Sequence, residues 1–162
     1  MSSSRRSVLI ATSAVYAAVY VVLTLVLSPF SYGEVQLRVA NILTGLVPII
    51  GWPAIIGQGL GVFIANIDSP LGPVDLLNAV PSLFFSWVIW RLRKTSVFLG
   101  LTCYSVGLGV SVGLSLVYVY KLPMLVTVLT TALGIFAATA ILGYLLYRAV
   151  TRTGVLSSIF ER

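Results

Sequence analysis

The sequence predicts an all-α membrane protein that forms a single domain over residues 1–162 and crosses the bilayer six times. Hydrophobic residues make up 59% of the 162 positions, and charged residues only 9%. A soluble domain carries about 25% charged residues, because polar groups must cover its surface. The mean hydropathy of +1.07 indicates the same class. We therefore looked for apolar runs of roughly 20 residues, the length that spans the hydrocarbon core.

Four apolar runs are long enough to cross as single helices. They cover residues 7–27, 74–90, 97–120 and 122–147. The start of the chain, M-S-S-S-R-R followed by an apolar run, is also compatible with a signal peptide. We favour a retained first transmembrane helix, because the run over residues 7–27 is itself long enough to span.

Residues 39–67 are uncharged but interrupted by Pro48, Gly51, Trp52 and Pro53. Proline lacks a backbone donor and clashes with the preceding helical turn. We therefore predict two short helices, 39–50 and 53–67, each roughly 20 Å long and joined by a tight turn. A re-entrant hairpin that enters and leaves the membrane on one side is the alternative.

The basic residues predict the orientation. With six crossings both termini lie on one side, and eight of the ten basic residues lie there as well. Cytoplasmic loops carry an excess of Lys and Arg, so both termini are predicted to be cytoplasmic and the protein to lie in the plasma membrane. A re-entrant hairpin preserves the same charge pattern. The outer side then holds Arg38 and Lys121 with three of the four acidic residues, Glu34, Asp68 and Asp75.

The composition excludes several chemistries. The chain has no histidine and one cysteine, Cys103, which rules out a Cys/His zinc site, a His-based triad and an intrachain disulfide. It has no G-x-x-x-x-G-K-S/T loop, so it does not itself hydrolyse ATP. The net charge of +6 comes from short loops and does not indicate nucleic acid. We predict no enzyme activity, catalytic residue, metal or cofactor in this chain.

Eight polar residues flank the apolar segments on the predicted outer side, and we predict that they line a binding pocket. Ionisable residues near membrane spans are costly and mark functional sites. Other interpretations stay open: Glu34 and Arg38 can form a surface ion pair, and Asp75 can cap a helix. The eight residues form two groups, Glu34, Gln36, Arg38 and Asn41, then Asn66, Asp68, Asp75 and Asn78.

Small residues four positions apart predict close helix packing in three places. Gly57 and Gly61 form one pair, and Gly109 and Gly113 form another. Such pairs let helix backbones approach closely in lipid. Packing within the chain is the simplest interpretation of all three, the third pair being Ala14 and Ala18. Gln58, nearer the middle of its helix, suits either a hydrogen bond between helices or a ligand contact.

The order and spacing of three motifs resemble the queuosine precursor transporter (QueT) family. The motifs are Y-G-E-V-Q-L-R at 32–38, G-Q-G-L-G-V-F-I-A-N at 57–66 and L-G-P-V-D-L-L at 71–77. The resemblance covers roughly residues 7–95 and is strongest at Gln36, Arg38, Ala65, Asn66 and Asp75. It implies a substrate-binding S component of an energy-coupling factor (ECF) importer.

The resemblance also implies partners and a ligand. Ala14 and Ala18 match an A-x-x-x-A surface that docks on a transmembrane coupling subunit, and two cytoplasmic ATPases would use the ATP. The implied ligand is a 7-deazaguanine such as preQ0, preQ1 or queuine, captured from outside. Asp75 is our choice to accept its N–H groups, with Asp68 or Glu34 as substitutes. We expect an amide, that of Asn78, Asn66 or Gln36, to donate to the carbonyl of the ligand. An aromatic ring, that of Phe30, Tyr32 or Tyr118, is expected to stack on it. Loops 29–37 and 67–73 are expected to act as lids.

Two departures from the family pattern lie close to the predicted pocket. Ala40 and Asn41 stand where family members commonly have Ser-Glu, and Asn78 and Ala79 replace Phe-Gly. A carboxylate is thus lost and an amide gained, so the substrate can differ from the family norm. The alternative function is a stand-alone secondary transporter or channel for a small polar solute or vitamin, coupled to an ion.

Overall fold

The structure, a computed structural model, describes residues 3–28 and 38–153. These ranges contain six helices and no strand, which confirms the predicted number of helices. Four of the helices, α1, α4, α5 and α6, are long and apolar enough to cross a membrane, and α2 and α3 are shorter. The helices are α1 (Ser3–Val26), α2 (Val39–Ile50), α3 (Trp52–Ala65), α4 (Pro73–Leu92), α5 (Val97–Tyr120) and α6 (Met124–Thr153).

The break between α2 and α3 falls at Gly51, as predicted. Its φ of 75° and ψ of −135° lie in a region that glycine adopts without a steric penalty. Pro48 and Pro53 stand in the first turns of the helical segments Val47–Ile50 and Trp52–Ala65. A missing N–H costs nothing there, so each proline suits the first turn of its α-helical segment. The prediction that α3 covers 53–67 is corrected to Trp52–Ala65, because the chain enters a turn after Ala65.

Three of the helices contain segments without α geometry. The first part of α2, Val39–Leu46, is a 3₁₀-helix, and α6 contains a π-helical segment at Ala137–Gly143. The third, α4, consists of Pro73–Leu76 and Ala79–Leu92, separated by a turn. Pro81 explains this turn, because its ring lacks a donor and crowds the carbonyl four residues earlier, that of Leu77. The last helix also continues past the predicted end at residue 147, to Thr153.

Glycines set the spacing between neighbouring helices. A Cβ on Gly57 would lie 2.8 Å from the Cβ of Tyr16, and one on Gly61 would lie 2.9 Å from the Cβ of Tyr20. The third helix therefore packs closely on α1. In the same way, a Cβ on Gly109 would lie 2.5 Å from the Cα of Ala132, where α5 meets α6. Packing within the chain is thus confirmed for both glycine pairs.

The helices form a closed ring in which α1 contacts α3, α3 contacts α4, α4 contacts α5, and α5 contacts α6. The second helix completes the ring between α6 and α1. Its Gly45 lies so close to Gly143 of α6 that a Cβ on Gly45 would collide with the Gly143 carbonyl oxygen. Such an approach, backbone against backbone, requires glycine on α2.

The hairpin of α2 and α3 runs from one end of the ring to the other and back. Its turn lies beside the far end of α4, where the rings of Trp52 and Trp90 are 5.8 Å apart. Its open ends lie at the opposite end, where Asn66 contacts Asp75 at the start of α4. This is the path expected of two short crossings.

Candidate functional site

A buried ion pair lies at the end of the ring where α2 begins and α3 ends. Arg38 Nη2 is 3.0 Å from Asp75 Oδ2, and both side chains are fully buried. Ser69, in the loop between α3 and α4, donates its hydroxyl to the same oxygen at 2.6 Å. Asn78 donates from Nδ2 to Asp75 Oδ1 at 2.7 Å. The carboxylate therefore accepts three hydrogen bonds from side chains on three different segments.

Asn66 ties the guanidinium to the backbone of α4. Its Oδ1 accepts from Arg38 Nη2 at 3.0 Å, and its Nδ2 donates to the backbone oxygen of Asp75 at 2.9 Å. Both ends of this amide are thus occupied, and the residue is fully buried. The group formed by Arg38, Asn66, Ser69, Asp75 and Asn78 is called the ion-pair cluster below.

The fifth helix closes the cluster from the side. Ser111 donates its hydroxyl to Asn78 Oδ1 at 2.6 Å, and Asn78 Nδ2 lies 3.4 Å from Ser115 Oγ. The side chain of Asn78 therefore bridges Asp75 to α5. As a result, the cluster is bonded to four of the six helices, α2 to α5.

A buried ion pair is costly to form, because removing two charges from water offsets much of their attraction. Such a pair is weak evidence for stability, and ionisable groups within membrane segments mark functional sites. Among the described residues, the hydrogen bonds that reach the Asp75 carboxylate come from side chains and none comes from a backbone N–H. This arrangement does not fit a helix cap, which accepts from backbone donors.

A second buried polar group lies deeper and carries no charge. Tyr16 donates to Gln58 Oε1 at 3.0 Å, and Gln58 Nε2 donates to the Tyr104 hydroxyl at 2.9 Å. The Tyr104 hydroxyl is 3.0 Å from Ser82 Oγ. These four residues, the tyrosine–glutamine chain, join α1, α3, α4 and α5. Both ends of Gln58 are occupied, so its contacts are those of a hydrogen bond between helices.

The predicted site residues divide into three groups. The structure brings Arg38, Asn66, Asp75 and Asn78 into one cluster, and it places Asn41 one turn below Arg38. Asp68 is exposed and lies outside the cluster. Tyr118 is 67% exposed, with Lys121 Nζ 4.9 Å from the centre of its ring. Four predicted residues lie outside the described residues, Phe30, Tyr32, Glu34 and Gln36.

Sequence reasoning missed the serines and tyrosines that contact the predicted polar residues. Ser111 and Ser115 are spaced by four on α5, a signal of one helix face, but serine is common in membrane helices. Tyr16 and Tyr20 lie mid-span, where a phenol buried inside the bundle needs a hydrogen-bond partner. That requirement was the available signal for both tyrosines.

A cavity of about 410 Å³ opens between α1 and α2, away from the ion-pair cluster. Ala11, Val15 and Val19 line it on one side, and Leu43 and Leu46 on the other. Its wall is mostly apolar, and its polar side chains are those of Thr12 and Tyr16. The polar chemistry of the chain is concentrated elsewhere.

An all-helical bundle with apolar helices and a charged cluster buried at one end indicates a membrane protein in which the buried ionisable groups mark a functional site. The family model of the QueT transporter matches residues 10–152, and the chain belongs to that family. Membership indicates a membrane transporter for a queuosine precursor and not an enzyme. No significant match was found among curated proteins or solved structures.

Proposed function

We propose that the chain is the S component of an ECF importer and captures a 7-deazaguanine from outside the cell. In this proposal both termini are cytoplasmic, a transmembrane coupling subunit binds α1, and two ATPases supply the energy. The observation that carries the proposal is the buried ion pair between Arg38 and Asp75. Because a buried ion pair is weak evidence for stability, we assign this pair to substrate binding.

The chemistry of the ligand suits the cluster. The guanine-like edge of a 7-deazaguanine offers two N–H donors and one carbonyl acceptor. A carboxylate accepts both donors, and charge-assisted hydrogen bonds are the stronger ones. Within the described part of the chain, Asp75 Oδ1 accepts from Asn78 alone, so it has room for a ligand N–H. Oδ2 accepts from Arg38 and Ser69.

Ser69 gives the loop between α3 and α4 a role as a lid. In the described structure its hydroxyl occupies Asp75 Oδ2 and also accepts from the backbone of Leu71 at 3.2 Å. When the loop moves away, this oxygen becomes available to the second ligand N–H. The Tyr120 hydroxyl lies 3.5 Å from the backbone oxygen of Pro70, so the end of α5 contacts the same loop.

The outward face of α1 supports the coupling part of the proposal. Ala14 and Ala18 are exposed, whereas Ala17, between them in sequence, is 5% exposed and faces the ring. The small side chains thus face away from this chain, where a helix of the coupling subunit can approach closely.

The first prediction tests the ligand. Asp75→Asn should weaken binding of preQ0, preQ1 or guanine by about 30-fold or more, because loss of a buried charged partner costs roughly 2–5 kcal/mol. Calorimetric titration of the purified protein in detergent measures this effect. Asp68→Asn is the matched variant, since that carboxylate is exposed, and we expect it to change affinity by less than about twofold. Absence of heat with all three compounds would overturn the ligand assignment.

The second prediction tests the orientation. In a Cys103→Ala background, a membrane-impermeant thiol reagent added to whole cells should label Pro70→Cys and should not label Thr95→Cys. Both positions are exposed, and they lie at opposite ends of α4. Labelling of Thr95→Cys from outside would place the ion-pair cluster on the cytoplasmic side and contradict uptake from outside.

A further inference from the structure

Asn41 carries a buried hydrogen-bond donor with no partner. The residue is fully buried, and its Nδ2 makes no hydrogen bond to any residue that the structure describes. Its other polar groups are used: the side-chain Oδ1 accepts from Tyr20, and the backbone oxygen accepts from Thr44 at 2.6 Å. An unsatisfied buried N–H is expensive and rare in folded proteins. Its presence beside the ion-pair cluster therefore points to a ligand.

The 3₁₀ geometry of α2 aligns Asn41 with the cluster. Residues three apart lie on the same face of a 3₁₀-helix, and the N–H of Asn41 donates to the backbone oxygen of Arg38 at 2.9 Å. Fully buried residues follow at this spacing from Arg38, which precedes α2, through Asn41 and Thr44 to Val47. The amide of Asn41 consequently lies one turn deeper than the guanidinium, on the same side of the helix.

Tyr20 contacts the oxygen end of that amide. Its hydroxyl donates to Asn41 Oδ1 at 2.9 Å, which leaves Nδ2 as the end available to a ligand. The phenol cannot easily move, because it is fully buried and packs where Gly61 has no side chain. Tyr20 is thus a positioning residue that acts through Asn41.

We infer that Asn41 Nδ2 donates to the substituent at position 7 of the ligand and selects a neutral acceptor there over a cation. This inference rests on the proposed function. A nitrile nitrogen accepts from an N–H, whereas a protonated aminomethyl group offers only donors and repels one. The free donor therefore favours the nitrile compound, preQ0, over the aminomethyl compound, preQ1.

The test compares dissociation constants for preQ0, preQ1 and unsubstituted 7-deazaguanine. We expect the wild-type protein to bind preQ0 about tenfold more tightly than preQ1, the effect of one well-placed buried hydrogen bond. Asn41→Asp should reverse the preference, because a carboxylate pairs with the ammonium group. Tyr20→Phe should reduce it to about twofold, since the released amide can turn its oxygen to the cation.

Two controls separate selectivity from folding. Tyr16→Phe removes an equally buried phenolic hydrogen bond one turn earlier on α1, to Gln58 at 3.0 Å, and should leave the preQ0/preQ1 ratio unchanged. Affinity for unsubstituted 7-deazaguanine should stay within about twofold in the Tyr20 and Tyr16 variants. Monodisperse elution in detergent establishes that each variant is folded.

The outcomes distinguish this inference from the proposed function. If the wild-type protein binds 7-deazaguanines and the ratio is the same in wild type, Asn41→Asp and Tyr20→Phe, Asn41 does not select the substituent and the inference is overturned. Equal binding of preQ0 and preQ1 by the wild type overturns it as well. If none of the three compounds binds to the wild type, the proposed function fails too.

Discussion

Gly57 and Gly61 on α3 share a four-residue spacing with Ala14 and Ala18 on α1, but the two pairs lie in opposite environments. The glycines face the ring and leave room for Tyr16 and Tyr20 of α1. The alanines are exposed on the other face of the same helix α1. The tyrosines of α1 thus pack against the glycines of α3 inside the molecule, and the alanines of α1 lie on its outer face.

This difference shows that a pair of small residues predicts the close approach of another helix but does not say which helix approaches. For the glycines the partner is α1 of the same chain. For the alanines, no described helix of this chain covers the pair, which suits a partner from another subunit. Bulky substitutions are therefore expected to have different effects at the two pairs. At the glycines they should destabilise the fold, and at the alanines they should block binding of the coupling subunit.

The largest expected effect is that of Gly61→Leu. A Cβ at this position would already lie 2.9 Å from the Cβ of Tyr20, and overpacking of a tight contact costs about 3 kcal/mol. We expect a pronounced fall in the thermal unfolding temperature in detergent. Ile64→Leu is the control, because Ile64 is exposed on the same helix, and it should be neutral. Unchanged stability of Gly61→Leu would mean that α1 and α3 are not held this closely.

An intermediate effect is expected at the alanines. Ala14→Trp and Ala18→Trp should leave thermal stability and ligand affinity unchanged but reduce uptake into cells by about tenfold or more, because bulk there blocks the approach of a partner helix. Co-purification of the coupling subunit and the ATPases should fall in parallel. Val106→Trp, at an exposed position on α5, is the control for added bulk. Normal uptake by both alanine variants would mean that this face of α1 contacts lipid and not a coupling subunit.

The smallest expected effect is that of Tyr16→Phe. The ring still fills the space beside Gly57, and only the hydrogen bond to Gln58 is lost. A hydrogen bond between membrane helices contributes roughly 0.6–1 kcal/mol, so a small drop in unfolding temperature is expected, with normal uptake. A loss of uptake without a loss of stability would instead give the tyrosine–glutamine chain a part in transport.

The sequence predicted the helices better than the site. Runs of apolar residues identify spans because hydrocarbon excludes charges, and Pro48, Gly51 and Pro53 marked the hairpin for clear steric reasons. The 3₁₀ and π segments were not predictable, since they depend on contacts such as that between Gly45 and Gly143. The sequence suggested an ion pair between Arg38 and Glu34, which are four positions apart, and Glu34 lies outside the described residues. The described partner, Asp75, is 37 positions away, and only the arrangement of the helices brings the two together.

The contact of α2 with α6 has a consequence for the order of events during synthesis. The five residues of the ion-pair cluster all precede α6 in the chain. The residues that contact them or lie next to them also precede it: Tyr20, Asn41, Ser111 and Ser115. These residues can assemble while the ribosome is still making the last helix. The ring closes only when Gly143 arrives beside Gly45, so α6 seals a bundle in which the ion-pair cluster can already have formed, and it adds its own buried Thr131 and Thr139.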